Sequence, residues 1–176
     1  MEDIDERYGH AVDLAVEALT DKQTNETLNL IFVTDLHHTC GGNQLRAARA
    51  IRELTLRLPL DLVVNGGDSA ANETKDRTLA SQTEICHALR TPGVPVLSVK
   101  GNHDDNSIYG HDREELRGRH VIFPSETRRL IQDGVLDAAR WDTTRSDGLY
   151  YFADVEAKKN KSDRTRYDRY SIRGSG

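Results

Sequence analysis

Cysteine is nearly missing from this chain: two residues, Cys40 and Cys86, among 176. They form no Cys-x-x-Cys pair and no framework of bridges. That excludes a disulfide-stapled scaffold and points to a reducing compartment, the cytoplasm by default. Long apolar runs are missing too. Nothing approaches the roughly 20 residues of a membrane-crossing helix. The acidic start lacks the basic-then-apolar order of a signal peptide. Apolar residues are 36% against 30% charged, enough for one globular domain with a polar surface. Charge of one sign does not dominate either. The net −5 is uneven, with eight acids and two bases in residues 1–29 and seven bases and three acids in residues 156–176. A short tail of mixed sign reads as solvated surface and argues against a nucleic-acid partner. Histidine runs out early, the last being His120.

What is present has a clear order. Ile4, Tyr8, Ala11, Val12, Ala15 and Leu19 recur at helical spacing, so residues 4–19 read as an amphipathic helix, followed by a polar linker. Strands are expected near 28–34, 60–65 and 95–100. Helices are expected near 44–58, with Ala47, Ala48, Ile51, Leu54 and Leu58 inward, and near 75–90, with Leu79, Ile85, Cys86 and Leu89 inward. Pro59 stops the first and Thr91-Pro92-Gly93 turns after the second. This β-α-β-α-β grammar with short connections predicts a parallel sheet. Residues 105–122 read as loop with a short helix near Arg113–Arg117. Ser125 is expected to cap a helix running to Asp133, and Leu149–Val155 to form a fourth strand. The expected organisation is residues 1–27 as helix and linker, 28–156 as the domain, and 157–176 as a polar basic tail too poor in apolar side chains to build a core element.

Three polar clusters end the three strands: Asp35-Leu36-His37, Gly66-Gly67-Asp68 and Gly101-Asn102-His103-Asp104. In parallel α/β sheets, ligands bind beyond the carboxyl ends of the strands. Adjacent strands bring the clusters to one rim. Asp35 and His37, two apart on an extended segment, can pinch one ion. Asp68 has two oxygens and can bridge two cations, with Asn102 supplying a neutral oxygen to the second. Two such ions clamp a phosphoester for in-line attack. His103 is expected to protonate the leaving oxygen, with Asp104 orienting its ring. Mixed oxygen and nitrogen donors suit Mn, Fe or Zn. Each cluster alone also reads as an ordinary turn; their conjunction, in order and one βα unit apart, carries the metal-site reading.

On these motifs the chain resembles the calcineurin-like metallophosphoesterases over residues 28–104, and more loosely over the Gly148–Val155 strand. The resemblance implies a layered αββα sandwich. It implies that Asp35, His37 and Asp68 hold one divalent metal, that Asp68 and Asn102 hold the second, and that His103 assists hydrolysis of a phosphomonoester or phosphodiester substrate. The family completes its site with a further histidine and a Gly-His-x-His loop. Neither occurs after His120, so the domain is expected to be C-terminally incomplete, with reduced activity. The alternative is a catalytically silent fragment that binds metal, a protein partner or a second copy through an uncovered sheet face. His38 falls where the family varies and is left as a neighbour facing substrate.

Overall fold

The computed structural model of the chain describes residues 6–24, 27–111, 113–134, 139–141, 143–145, 148–156 and 169–174. The expected β-α-β-α-β core is there: β1 (Leu30–Val33), α2 (Gln44–Arg57), β2 (Leu62–Asn65), α3 (Lys75–Leu89) and β3 (Val96–Ser98), preceded by α1 (Glu6–Thr20). The strands pair in parallel in the order β1-β2-β3, with Ile31 opposite Val63 and Val63 opposite Val96. Alternation along each strand then divides the apolar side chains between two faces. Val63 and Val96 join Ala48, Ile85 and Leu89 from α2 and α3 in one core cluster. Leu62 and Leu97 face the other way and pack with Ile131, Tyr151 and Ala153.

That second cluster belongs to elements beyond the motifs. α4 (Pro124–Gly134) contributes Ile131. A second, antiparallel sheet contains β4 (Ala139–Trp141), β5 (Tyr151–Glu156) and β6 (Arg169–Gly174) in that order. Its inner face lies against β2 and β3, and the buried Tyr151 hydroxyl donates to the Ser98 carbonyl at 2.6 Å, tying β5 to the end of β3. Trp141 stacks on Tyr151 at 4.6 Å. The described layers therefore run helices, parallel sheet, antiparallel sheet. The sheet face expected to stand open is covered over β2 and β3. Among the described residues, its β1 portion, Leu30 and Phe32, remains exposed.

Four expectations change. Residues 157–176 were read as unable to build an element, yet β6 pairs with the whole of β5, from Tyr151 opposite Gly174 to Glu156 opposite Arg169. Backbone hydrogen bonds along an open strand edge need no apolar side chain, so the composition was no guide there. Residues 157–168 lie outside the described residues. The short helix near Arg113–Arg117 is a series of turns, with the Arg117 N–H reaching the Arg113 carbonyl. The cap of α4 is not Ser125. Pro124 takes the first helical position, where its missing N–H costs nothing, and Glu126 reaches back to accept the Phe123 N–H at 2.9 Å. In α1, Val12 is buried as expected, but Leu19 is exposed.

Candidate metal centre

The parallel pairing of β1 with β2 does not stop where the strands do. Past Val33 the two chains stay laced. The Gly66 N–H donates to the Val33 carbonyl (2.7 Å), Asp35 to Gly67 (3.1 Å), His37 to Asp68 (3.0 Å), His38 to Ser69 (3.0 Å) and Ala71 back to His38 (2.9 Å). This lacing holds Asp35, His37 and Asp68 beside one another. It also bends the backbone. Asp35, His37 and Asp68 have φ of 58°, 44° and 51°. Non-glycine residues in the left-handed region are uncommon and cost on the order of 1–3 kcal/mol each, and such strain concentrates at functional sites.

The loop after β3 closes on the same spot. Gly67 and Gly101 are the contact: a Cβ on Gly67 would stand 2.3 Å from the Gly101 nitrogen, and a Cβ on Gly101 would stand 2.1 Å from Asp68 Oδ1. Gly67 also has φ of +96°, so only glycine suits it on both counts. The close approach lets the His103 N–H donate to Asp68 Oδ1 at 2.8 Å.

His37, Asp68 and His103 thereby form a donor group whose ligand atoms lie within 4.8 Å of one another. The His37 and His103 rings meet edge to face at 4.8 Å. Asp35 stands next to this group, its Oδ1 3.8 Å from His37 Nε2 and its Oδ2 held by the Thr34 hydroxyl at 2.7 Å. Asn102 is exposed at the tip of the same loop, between Gly101 and His103. Of the residues expected to hold metal, His37 and Asp68 lie in this group, and Asp35 lies beside His37. His103, expected to transfer protons, lies within this candidate donor group itself. A carboxylate between two imidazoles fits a divalent metal ion.

Asp104 has another job than the one expected. Its carboxylate accepts four hydrogen bonds: from the N–H of Asp68 (2.9 Å), Ser69 (3.0 Å) and Gly101 (2.8 Å), and from Gln82 Nε2 (3.2 Å). A carboxylate offers about four lone-pair sites, so none is left for the His103 ring. Asp104 staples the β2 and β3 loops together. The ring of His103 pairs instead with Asn72, Nδ1 to Oδ1. His38 does not face substrate. It is fully buried, with Nε2 at 2.6 Å from Glu84 Oε2.

The helix beneath the site explains its own composition. α3 buries Thr78, Ser81 and Gln82 as well as Ile85 and Leu89. Its first half packs under polar loops and its second half under the sheet. Burial pushes the Cys86 thiol up to about 11, with Arg90 opposing and Asp104 adding to the rise. For Asp105, partial burial works against ionisation, but hydrogen bonds from Ser107 and Lys100 outweigh it and hold the carboxyl below its usual value. Asn72, Asn106, Gln82 and Glu84 were not singled out from the sequence; polar residues on loops and helices are too common there to mark a site.

A parallel sheet whose carboxyl rim gathers nitrogen and oxygen donors defines a class, the α/β proteins with a candidate metal-binding group at the strand ends. The sequence pattern described as calcineurin-like phosphoesterase matches residues 28–169, and the chain belongs to that family. No curated protein and no solved structure matches it.

Proposed function

We propose that this chain is a metal-dependent phosphoesterase that hydrolyses a phosphomonoester or phosphodiester. The observation that carries the reading is the coincidence of strain and donors: among the described residues, three of the four non-glycine residues with positive φ are Asp35, His37 and Asp68. Aspartate and histidine tolerate such positions better than most residues, and the reading rests on these three falling beside one another past the ends of β1 and β2. Asp35, His37 and Asp68 would hold one divalent ion, and Asp68 with Asn102 the second. When bound, such ions polarise phosphoryl oxygens and acidify water. The chain's own residues do the rest. His103 Nε2 would first take up a proton from water, giving the imidazolium, and then pass that proton to the leaving oxygen, returning to the neutral ring. Asp104 keeps the Asp68 and Gly101 loops in contact, so that the donors do not drift apart.

The second ion position has few donors. The chain's seven histidines are His10, His37, His38, His87, His103, His111 and His120, and no Gly-His-x-His occurs. We therefore propose low turnover for this chain. A silent metal- or partner-binding role is favoured by the same scarcity, and the exposed Leu30 and Phe32 offer a partner an apolar strip. The two free thiols suit a reducing compartment such as the cytoplasm. Among the described residues, no helix is long and apolar enough to cross a membrane.

The test is hydrolysis of an aryl phosphodiester and an aryl phosphomonoester with Mn, Fe or Zn supplied, with metal content measured on the same samples. Metal-dependent turnover that is lost in Asp68→Ala supports the reading. Stoichiometric metal with no turnover of either ester turns it to the silent role. A chain that takes up no metal overturns the hydrolase reading and the silent metal-binding one.

A further inference from the structure

We infer that Asn72 and Asn106 form an amide relay that fixes His103 in its Nδ1–H tautomer and leaves Nε2 as the basic nitrogen facing the donor group. The inference rests on the phosphoesterase reading only for what that nitrogen is used for; the tautomer itself follows from hydrogen-bond bookkeeping.

The relay is anchored on groups that can only accept. Asn106 Nδ2 lies 2.8 Å from the Glu73 carbonyl and 3.0 Å from the His120 carbonyl. Two carbonyls cannot face an amide oxygen, so the Asn106 amide has one allowed orientation. Its Oδ1 must then point the other way, where it receives Asn72 Nδ2 at 2.9 Å. Asn72 Nδ2 spends its other hydrogen on the His103 carbonyl at 2.9 Å. That fixes the second amide as well: Asn72 Oδ1 is the atom facing His103 Nδ1. A carbonyl oxygen accepts, so Nδ1 must carry the hydrogen. In a neutral imidazole the other nitrogen is then unprotonated.

The relay is held rigidly. Asn106 is completely buried and has φ of 57°, a left-handed position that asparagine tolerates better than most residues. Its N–H donates to the His103 carbonyl at 3.0 Å, the same oxygen that Asn72 uses. Three elements meet there: the segment after Asp68, the loop carrying His103 and the turn before Ile122. An imidazole that donates one N–H to a fixed acceptor while offering the other nitrogen to a site is the arrangement that orients metal-ligating and proton-transferring histidines alike. Asn72 and Asn106 are positioning residues in this scheme, since neither belongs to the donor group.

The experiment is a long-range 1H–15N correlation spectrum of the full chain at a pH where imidazoles are neutral, recorded with zinc and again after chelation. His103 is assigned by the signal missing from His103→Ala. The expected result is an Nδ1–H tautomer in both states. In Asn72→Ala the signal moves toward the Nε2–H form after chelation, and in Asn72→Asp, which keeps an acceptor, it stays Nδ1–H. An Nε2–H ring in the unmodified chain overturns the inference whatever the variants do. So does an unchanged tautomer in a folded Asn72→Ala. Neither readout involves turnover, so failure here leaves the hydrolase proposal standing, and absent hydrolysis leaves the tautomer assignment standing.

Discussion

Gly101 shows how little room the candidate centre has. Its missing side chain is what lets Asp68 Oδ1 take the His103 N–H, and any Cβ there would overlap that oxygen. Gly101→Ala is expected to push the two loops apart, costing about 1–3 kcal/mol as overpacking does and lowering metal affinity more than stability alone explains. Thermal unfolding beside metal titration separates the two effects. Asp104→Asn tests the staple. An amide has one acceptor oxygen instead of two, so at least one of the Asp68, Ser69 and Gly101 N–H groups loses its partner. The expected loss is about 2–3 kcal/mol, seen in denaturant unfolding, and with it weaker metal binding by a residue that touches no metal. The sequence pointed to His37, Asp68 and His103, which the structure gathers into one donor group, because strand ends and ligand chemistry coincide in short clusters. It misassigned Asp104 because adjacency to His103 does not fix direction. The side chain turned back into the protein, where three backbone N–H groups wanted an acceptor. Asn72 stayed hidden because its partner His103 lies 31 residues away.

At the scale of elements, the parallel core was readable, and of the antiparallel sheet only β5, expected as a strand at Leu149–Val155, was. Val63, Val64, Val96 and Leu97 sit in compact apolar runs bounded by turn residues, and a strand buried on both faces leaves that trace. β4 and β6 are short or polar, and a strand recruited by a neighbour's open edge leaves no periodicity of its own. Tyr151 is the hinge of that second sheet. Tyr151→Phe removes the donor to the buried Ser98 carbonyl and should cost about 1–2 kcal/mol, with metal uptake unchanged. Burial also pushes the Tyr151 phenol up to about 12, despite the Ser98 bond. Its folded value exceeds the roughly 10 of an unfolded tyrosine. The stabilisation is therefore whole below pH 10 and fades as pH climbs toward 12, because only the unfolded chain ionises readily in that window. An unfolding series from pH 9 to 12 should show a steeper fall for the unmodified chain than for Tyr151→Phe.

For the molecule as a whole, the two sheets depend on each other. Leu62 and Leu97 are buried against Ile131, Tyr151 and Ala153, so the motif-bearing sheet is finished only when the later elements dock. β6 completes that arrangement by covering the β5 edge. A chain ending at Asp168 should therefore unfold at lower temperature and associate at rising concentration, since an uncovered strand edge invites pairing with another copy. Size-exclusion chromatography across a concentration series checks this. A monomer of unchanged melting temperature would show that β6 contributes nothing to the assembly of the sheets.

The left-handed backbone at Asp35, His37 and Asp68 has an evolutionary corollary. Glycine is at ease in that conformation, so each of the three positions offers a mutational path downhill in conformational strain. A lineage relieved of its chemistry would have little to stop it from taking that path, because stability is the only remaining filter. The strained side chains are in effect a standing cost of keeping donors in place, and Asp68→Gly should yield a protein whose local backbone is more relaxed and whose metal centre is lost.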